Sequence, residues 1–171
     1  DLVDHIVSKN SDRVSGSHFD SDQGSLLLPM ALNSGNSDVF KKLWAEGART
    51  NSASAAYFRN IFLTDNVDFM IELEQLGFNP LDWQKGHVSG RYPSTFWAAK
   101  YGAREIMNRL LDSGADPNET TESGMPLLFV AILSGSGELV SDLIQKEAGV
   151  NTSWNDMSPM AVAALVGDPK L

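Results

Sequence analysis

The feature that most constrains this chain is a recurring glycine. Gly47, Gly77, Gly114 and Gly149 each end an apolar run of helical character (LWAEGA, LEQLGF, LLDSGA, QKEAGV), at spacings of 30, 37 and 35 residues. Upstream of three of them lies a second glycine, Gly35, Gly102 or Gly135, with an alanine four places earlier at Ala31, Ala98 or Ala131; Gly167 with Ala163 begins the pattern again. Each unit reads as two short helices: one with small residues where neighbours pack closely, a glycine turn, then one with aliphatics at helical spacing. The glycine after the second helix suits a left-handed cap. A period of this size marks arrays whose units bury their apolar sides against one another.

Residues 102–118, GAREIMNRLLDSGADPN, closely resemble the second half of an ankyrin repeat. The resemblance implies an all-α fold: a solenoid of stacked helix-turn-helix units, with about four ankyrin repeats and partial units at both ends. As a single domain over 1–171 it divides into repeats at about 24–51, 57–80, 93–118 and 124–151, with partial units at 1–14 and 158–171. The second repeat is the most divergent, Asn66 standing where the turn glycine is expected. In that family the first helix opens with Thr-Pro-Leu-His. This chain offers Met125-Pro126-Leu127-Leu128 and Ser158-Pro159-Met160-Ala161, of which the second keeps both the capping hydroxyl and the first-turn proline. Residues 81–91 are longer than the family spacing and 13–23 form a Ser/Asp/Gly-rich connector; insertions in solenoids go to loops. The ends fit either excision from a longer array or atypical capping units.

Composition limits the partners. A net charge of -9 and a pI near 4.6 give a field that repels phosphate backbones and anionic lipids. No nucleic acid is expected, and a partner protein with a basic surface is favoured. The apolar stretches are too short to cross a bilayer, so no membrane is expected either. With no cysteine there is no disulfide, thiolate metal site or Cys nucleophile. Such a chain survives in reducing and oxidising spaces alike; the cytoplasm is the expected compartment, a signal peptide removed before Asp1 being compatible with it.

Catalysis needs a convergent set of nucleophile, base and charge stabiliser, which the histidines do not supply. Asp4 and His5 are adjacent on a helical segment and point apart. His18 with Asp20 and Asp22 lacks the glycine and final glutamate of a calcium loop. Around His87, GHVSG has its serine one place late for a hydrolase elbow, and Ser134-Gly135-Ser136-Gly137 has no lysine to make a phosphate cradle. No catalytic residue, metal or cofactor is expected. An enzyme using His87, Asp82 and Arg91 in the long loop is the competing reading.

The resemblance implies a non-catalytic protein-protein interaction module. It places Asn33, Ser34, Thr64, Asp65, Lys100, Tyr101 and Leu133 along the concave groove, with Tyr101 as the best anchor. On the projecting finger loops it places Arg49, Asn51, Trp83, His87, Glu119, Glu122, Trp154, Asp156 and Met157. The partner-binding set is Trp83, His87, Lys100, Tyr101, Glu119, Glu122, Leu133, Trp154, Asp156 and Met157. Aromatic residues dominate interface hot spots, so Trp83 and Trp154 read as contacts unless the fingers fold back over the helices. Trp44, Trp97, Ile106, Leu110 and Leu111 read as core. The carboxylates Asp65, Asp68, Glu72 and Glu74 either solvate a face or steer a basic partner. Within the interaction class, a bacterial immunity protein or effector that binds a specific protein, and a regulatory piece of a larger protein, are the narrower alternatives.

Overall fold

A computed structural model describes residues 27–45, 59–79 and 92–167. Within them the chain forms helical hairpins: α1 (Leu27–Ser34) with α2 (Ser37–Ala45), α3 (Arg59–Leu63) with α4 (Val67–Gln75), α5 (Ser94–Tyr101) with α6 (Arg104–Asp112), and α7 (Leu127–Ser134) with α8 (Gly137–Gln145). A further helix, α9 (Pro159–Val166), follows. The first helices pack in sequence, α1 on α3, α3 on α5, α5 on α7 and α7 on α9, and the second helices form a parallel row behind them. The architecture is the expected all-α solenoid. Among the described residues the β-type pairing consists of two isolated bridges in the loops.

Small residues set the spacing of the first row. Ala98, Ala99 and Ala131 are completely buried and Ala31 nearly so, which lets backbones approach where a longer side chain would force them apart. The second helices repeat one apolar pattern in the same register: Leu139, Val140 and Leu143 in α8 match Ile106, Met107 and Leu110 in α6, and Phe69, Met70 and Leu73 in α4. Positions i, i+1 and i+4 lie on one helical face, and that face meets the first helices. Trp44 is half-buried, stacked on Phe40 and tilted against Phe78; Trp97 is half-buried and packs against the core.

Three positions depart from the sequence reading, each by one or two residues. In the second unit the left-handed turn residue is Asp65, with φ +49, matching Gly35, Gly102 and Gly135; Asn66 instead caps α4, accepting the Phe69 amide at 3.0 Å as Asn36 accepts that of Val39 in α2. In the fourth unit the left-handed cap is Glu147, with φ +68, not Gly149. The bond from Ala148 N to Leu143 O, counterpart of those from Ala115 to Leu110 and Phe78 to Leu73, fixes that register. Gly149 is small for another reason: a Cβ there would lie 3.0 Å from Thr152 Cγ2 and 3.3 Å from Asn118 Oδ1. Finally, Pro126, like Pro93, is itself the cap residue of its helix, whereas Pro159 is the first helical residue and Ser158 caps it, its hydroxyl accepting the Ala161 amide at 3.2 Å.

Polar groups tie unit to unit. The Asp65 carboxylate accepts the amides of Glu105 and Ile106, at 2.9 and 3.0 Å, and so caps α6 in the next unit, whose own cap position is Ala103. The Asn118 side chain accepts from Gly149 N and donates to Glu147 O. On the second helices Lys41 pairs with Glu72, Arg109 with Glu74, Arg104 with Glu138 and Asp142, and Lys146 with Asp112. The acidic residues of the second unit, expected to solvate a face or steer a partner, include three that join repeats: Asp65, Glu72 and Glu74.

Candidate partner-binding surface

The turn register aligns the first helices position by position. Two residues before the turn stand Asn33, Leu63, Lys100, Leu133 and Leu165, one from each unit. Leu63 is 55% exposed, Leu133 54% and Leu165 76%; aliphatics exposed in a row, unlike ones scattered singly, mark a contact surface. Lys100 stands between Leu63 and Leu133, so the row runs aliphatic, cationic, aliphatic.

Beside Lys100 lies an aromatic ledge. Tyr92 stacks on Phe96 at 4.0 Å, Phe96 meets Trp97 edge to face, and Trp97 stacks on Tyr101 at 6.0 Å. The Lys100 ammonium lies 5.0 Å from the Trp97 ring centre and 5.9 Å from that of Tyr101. The Arg59 guanidinium lies 5.7 Å from the same Tyr101 ring, and its Nε donates to the Tyr101 hydroxyl at 2.8 Å. Two cations therefore share one phenol ring, each attracted by its π-face. Tyr101, expected as an open anchor, is half-buried and already engaged, because the neighbouring unit supplies a donor for its hydroxyl and Trp97 covers its face. Asp65, expected on the same face, is turned toward α6.

Two finger loops are described, and they fold back further than expected. In the fourth unit Trp154 and Met157 exchange two backbone hydrogen bonds, at 3.0 and 3.1 Å, around Asn155 and Asp156, both with positive φ. This is the type I′ geometry of a two-residue hairpin. The turn leaves Asp156 exposed and lays Trp154 over the core: its ring meets buried Phe129 edge to face at 6.4 Å, and its indole N–H donates to the Ser123 carbonyl at 3.4 Å. Met157 is also half-buried against the core. In the third unit Glu119 is half-buried and accepts a hydrogen bond from the Thr95 hydroxyl at 2.5 Å, tying the finger to α5, while Glu122 is exposed at the turn. Of the expected contact residues, Lys100, Leu133, Glu122 and Asp156 are presented to solvent; Tyr101, Glu119, Trp154 and Met157 serve the framework that holds them. Trp83, His87, Arg49 and Asn51 lie outside the described residues, as do His5, His18, Asp82 and Arg91. The aromatic ledge and Arg59 were missed from sequence; Tyr92, Phe96 and Trp97 at helical spacing carried the signal.

Charge is sorted by face. The first helices contribute Arg59 and Lys100 and no carboxylate, whereas the second helices carry Asp38, Asp68, Glu72, Glu74, Glu105, Asp112, Glu138 and Asp142. The Asp142 carboxyl is held below the usual carboxylate range, first by its hydrogen bond from Arg104 and then by that from Asn108, against an opposing cost of desolvation. Arg104 is shifted upward by its hydrogen bond to Asp142, and Arg109 upward by its hydrogen bond to Glu74. Among the described residues no group of three or more His, Asp or Glu side chains is placed to hold a metal ion, and no helix is long and apolar enough to cross a membrane.

The family model for ankyrin repeats (3 copies) matches residues 95–171. Residues 95–171 carry ankyrin repeats. The match spans α5 to α9, the part in which the hairpins, their turns and two fingers are described without a break, and the α1–α2 and α3–α4 hairpins continue the same packing upstream. Ankyrin repeats generally mediate protein-protein interaction, and their family is typically non-catalytic.

Proposed function

We propose that this ankyrin-repeat chain is a non-catalytic module that holds a partner protein against its first-helix face, with the fingers as a polar rim. The observation that carries the reading is the exposed row Leu63, Lys100 and Leu133, one residue per unit and in register, beside the aromatic ledge. A solenoid that already buries one apolar side in stacking gains nothing in folding from a second, exposed one. Lys100 and Leu133 are the central contacts, with Tyr101 positioned by Arg59 behind them. Glu122 and Asp156 at the finger tips suit a basic part of the partner's surface, while Trp154, Met157 and Glu119 hold those tips in place.

The test is affinity capture from an extract of the source cells, comparing wild type with a Leu63→Asp, Leu133→Asp double variant whose helicity is first checked by circular dichroism. Both leucines are more than half exposed, so the variant is expected to fold. A protein retained by wild type and lost by the variant supports the reading. Equal retention moves the binding surface elsewhere, and turnover of a substrate by the purified chain would overturn the non-catalytic assignment.

A further inference from the structure

Arg59 and Lys100 differ from four other cations among the described residues. Lys41, Arg104, Arg109 and Lys146 each pair with a carboxylate, whereas Arg59 and Lys100 contact aromatic rings and, in the case of Arg59, a phenol oxygen. In a chain of 22 carboxylates and 13 lysines and arginines, an unpaired cation is against the odds, and these two share one ring. Bringing two like charges to the same ring costs free energy that a carboxylate placed between them would recover. The ring face beneath keeps water from one side of such a pair, which strengthens it relative to an open surface pair.

We propose that the first-helix face binds an extended protein segment in which an aspartate or glutamate lies between two aliphatic residues, its carboxylate on Lys100 and Arg59 and its aliphatic side chains on Leu63 and Leu133. The proposal rests on the interaction-module reading and adds the chemistry of the occupant. Adjacent packed helices lie roughly 8–10 Å apart, and a segment in the extended polyproline-II conformation advances about 3.1 Å per residue with about three residues per turn, so every third side chain of a segment crossing the row faces one unit. The aliphatic, cationic, aliphatic order of the row then specifies the aliphatic, acidic, aliphatic order of the segment. Among the described residues the carboxylates stand on the second helices, the turns and the fingers, and none on the first helices.

The experiment is selection of a random dodecapeptide library on the intact chain, followed by anisotropy measurements on the enriched peptides. Enrichment of an acidic residue flanked by aliphatics about three positions away on each side is expected. Lys100→Glu should then weaken the selected peptide by about tenfold or more and restore binding to its Glu→Lys counterpart, an exchange that general misfolding cannot produce. Enrichment of cationic or uncharged peptides, or of none, overturns the proposal, as does tighter binding of polyuridylate than of any peptide, since stacked bases could also use an aromatic ledge. If extract capture yields a partner sensitive to Leu63 and Leu133 while the library yields no acidic motif, the interaction module stands and this inference alone fails.

Discussion

Two residues in left-handed backbone carry side chains where the neighbouring units use glycine, and they predict different responses to the same substitution. Glu147 is exposed, and its side chain makes no hydrogen bond or ion pair, so φ +68 is uncompensated. Glu147→Gly should therefore stabilise the protein by about 1 kcal/mol, read from the urea midpoint. Asp65 caps α6 across the unit boundary, so Asp65→Gly removes two accepted hydrogen bonds while relieving strain and should be close to neutral. Asp65→Ala keeps the strain and loses the cap, and should cost about 1–2 kcal/mol more than the glycine variant. Identical stabilities for Asp65→Ala and Asp65→Gly would show that the carboxylate, not the backbone angle, governs the site. Asp142 supplies a pH prediction. Its folded pKa lies below the unfolded value, so its pairing with Arg104 contributes stability above the ordinary carboxylate range and loses it as pH falls through the lowered folded value. Asp142→Asn should flatten the acid limb of a thermal-midpoint profile and leave its slope above neutrality unchanged.

Between helices, the first row depends on smallness and the second on register. Ala131 in α7 is fully buried where α5 and α9 both approach, so Ala131→Leu should cost about 1–3 kcal/mol by overpacking. Phe129, fully buried beneath Trp154, should cost about 3–5 kcal/mol on truncation to alanine. Urea denaturation followed by Trp emission and by circular dichroism checks both. The salt bridges between second helices are partly exposed, and replacing Glu74 with glutamine should cost no more than about 1 kcal/mol. They join each unit to the next, with the cation in the earlier unit at Lys41 and Arg104 and in the later one at Arg109 and Lys146. The small residues were legible in the sequence from their spacing, as were the aliphatics of α6. The inward fold of the fourth finger was not, because it depends on a type I′ turn at Asn155-Asp156 that contains no glycine.

Across the whole array, each unit contacts only its neighbours, so stability is distributed along one dimension. The α7–α8 unit is packed on both sides, by α5–α6 and by α9, and its first helix is buried from Leu127 to Ile132. Native-state hydrogen exchange should find its amides the best protected, with protection falling toward α1 and α9. Uniform protection would instead mark a single cooperative unit.

What the sequence determined by itself was the repeat, its helix-turn-helix content and the residues of its core, because glycine spacing and apolar periodicity are local consequences of backbone geometry and burial. What only the tertiary structure decided was which atoms meet between units. Asp65 belongs to α6, Asn118 to the following loop and Arg59 to Tyr101, pairs separated by 29 to 42 residues along the chain. The exposed row of Leu63, Lys100 and Leu133 likewise exists only once Asp65 fixes the register of the second unit. No local pattern encodes such contacts, since they follow from how closely, and in what register, one hairpin stacks on the next.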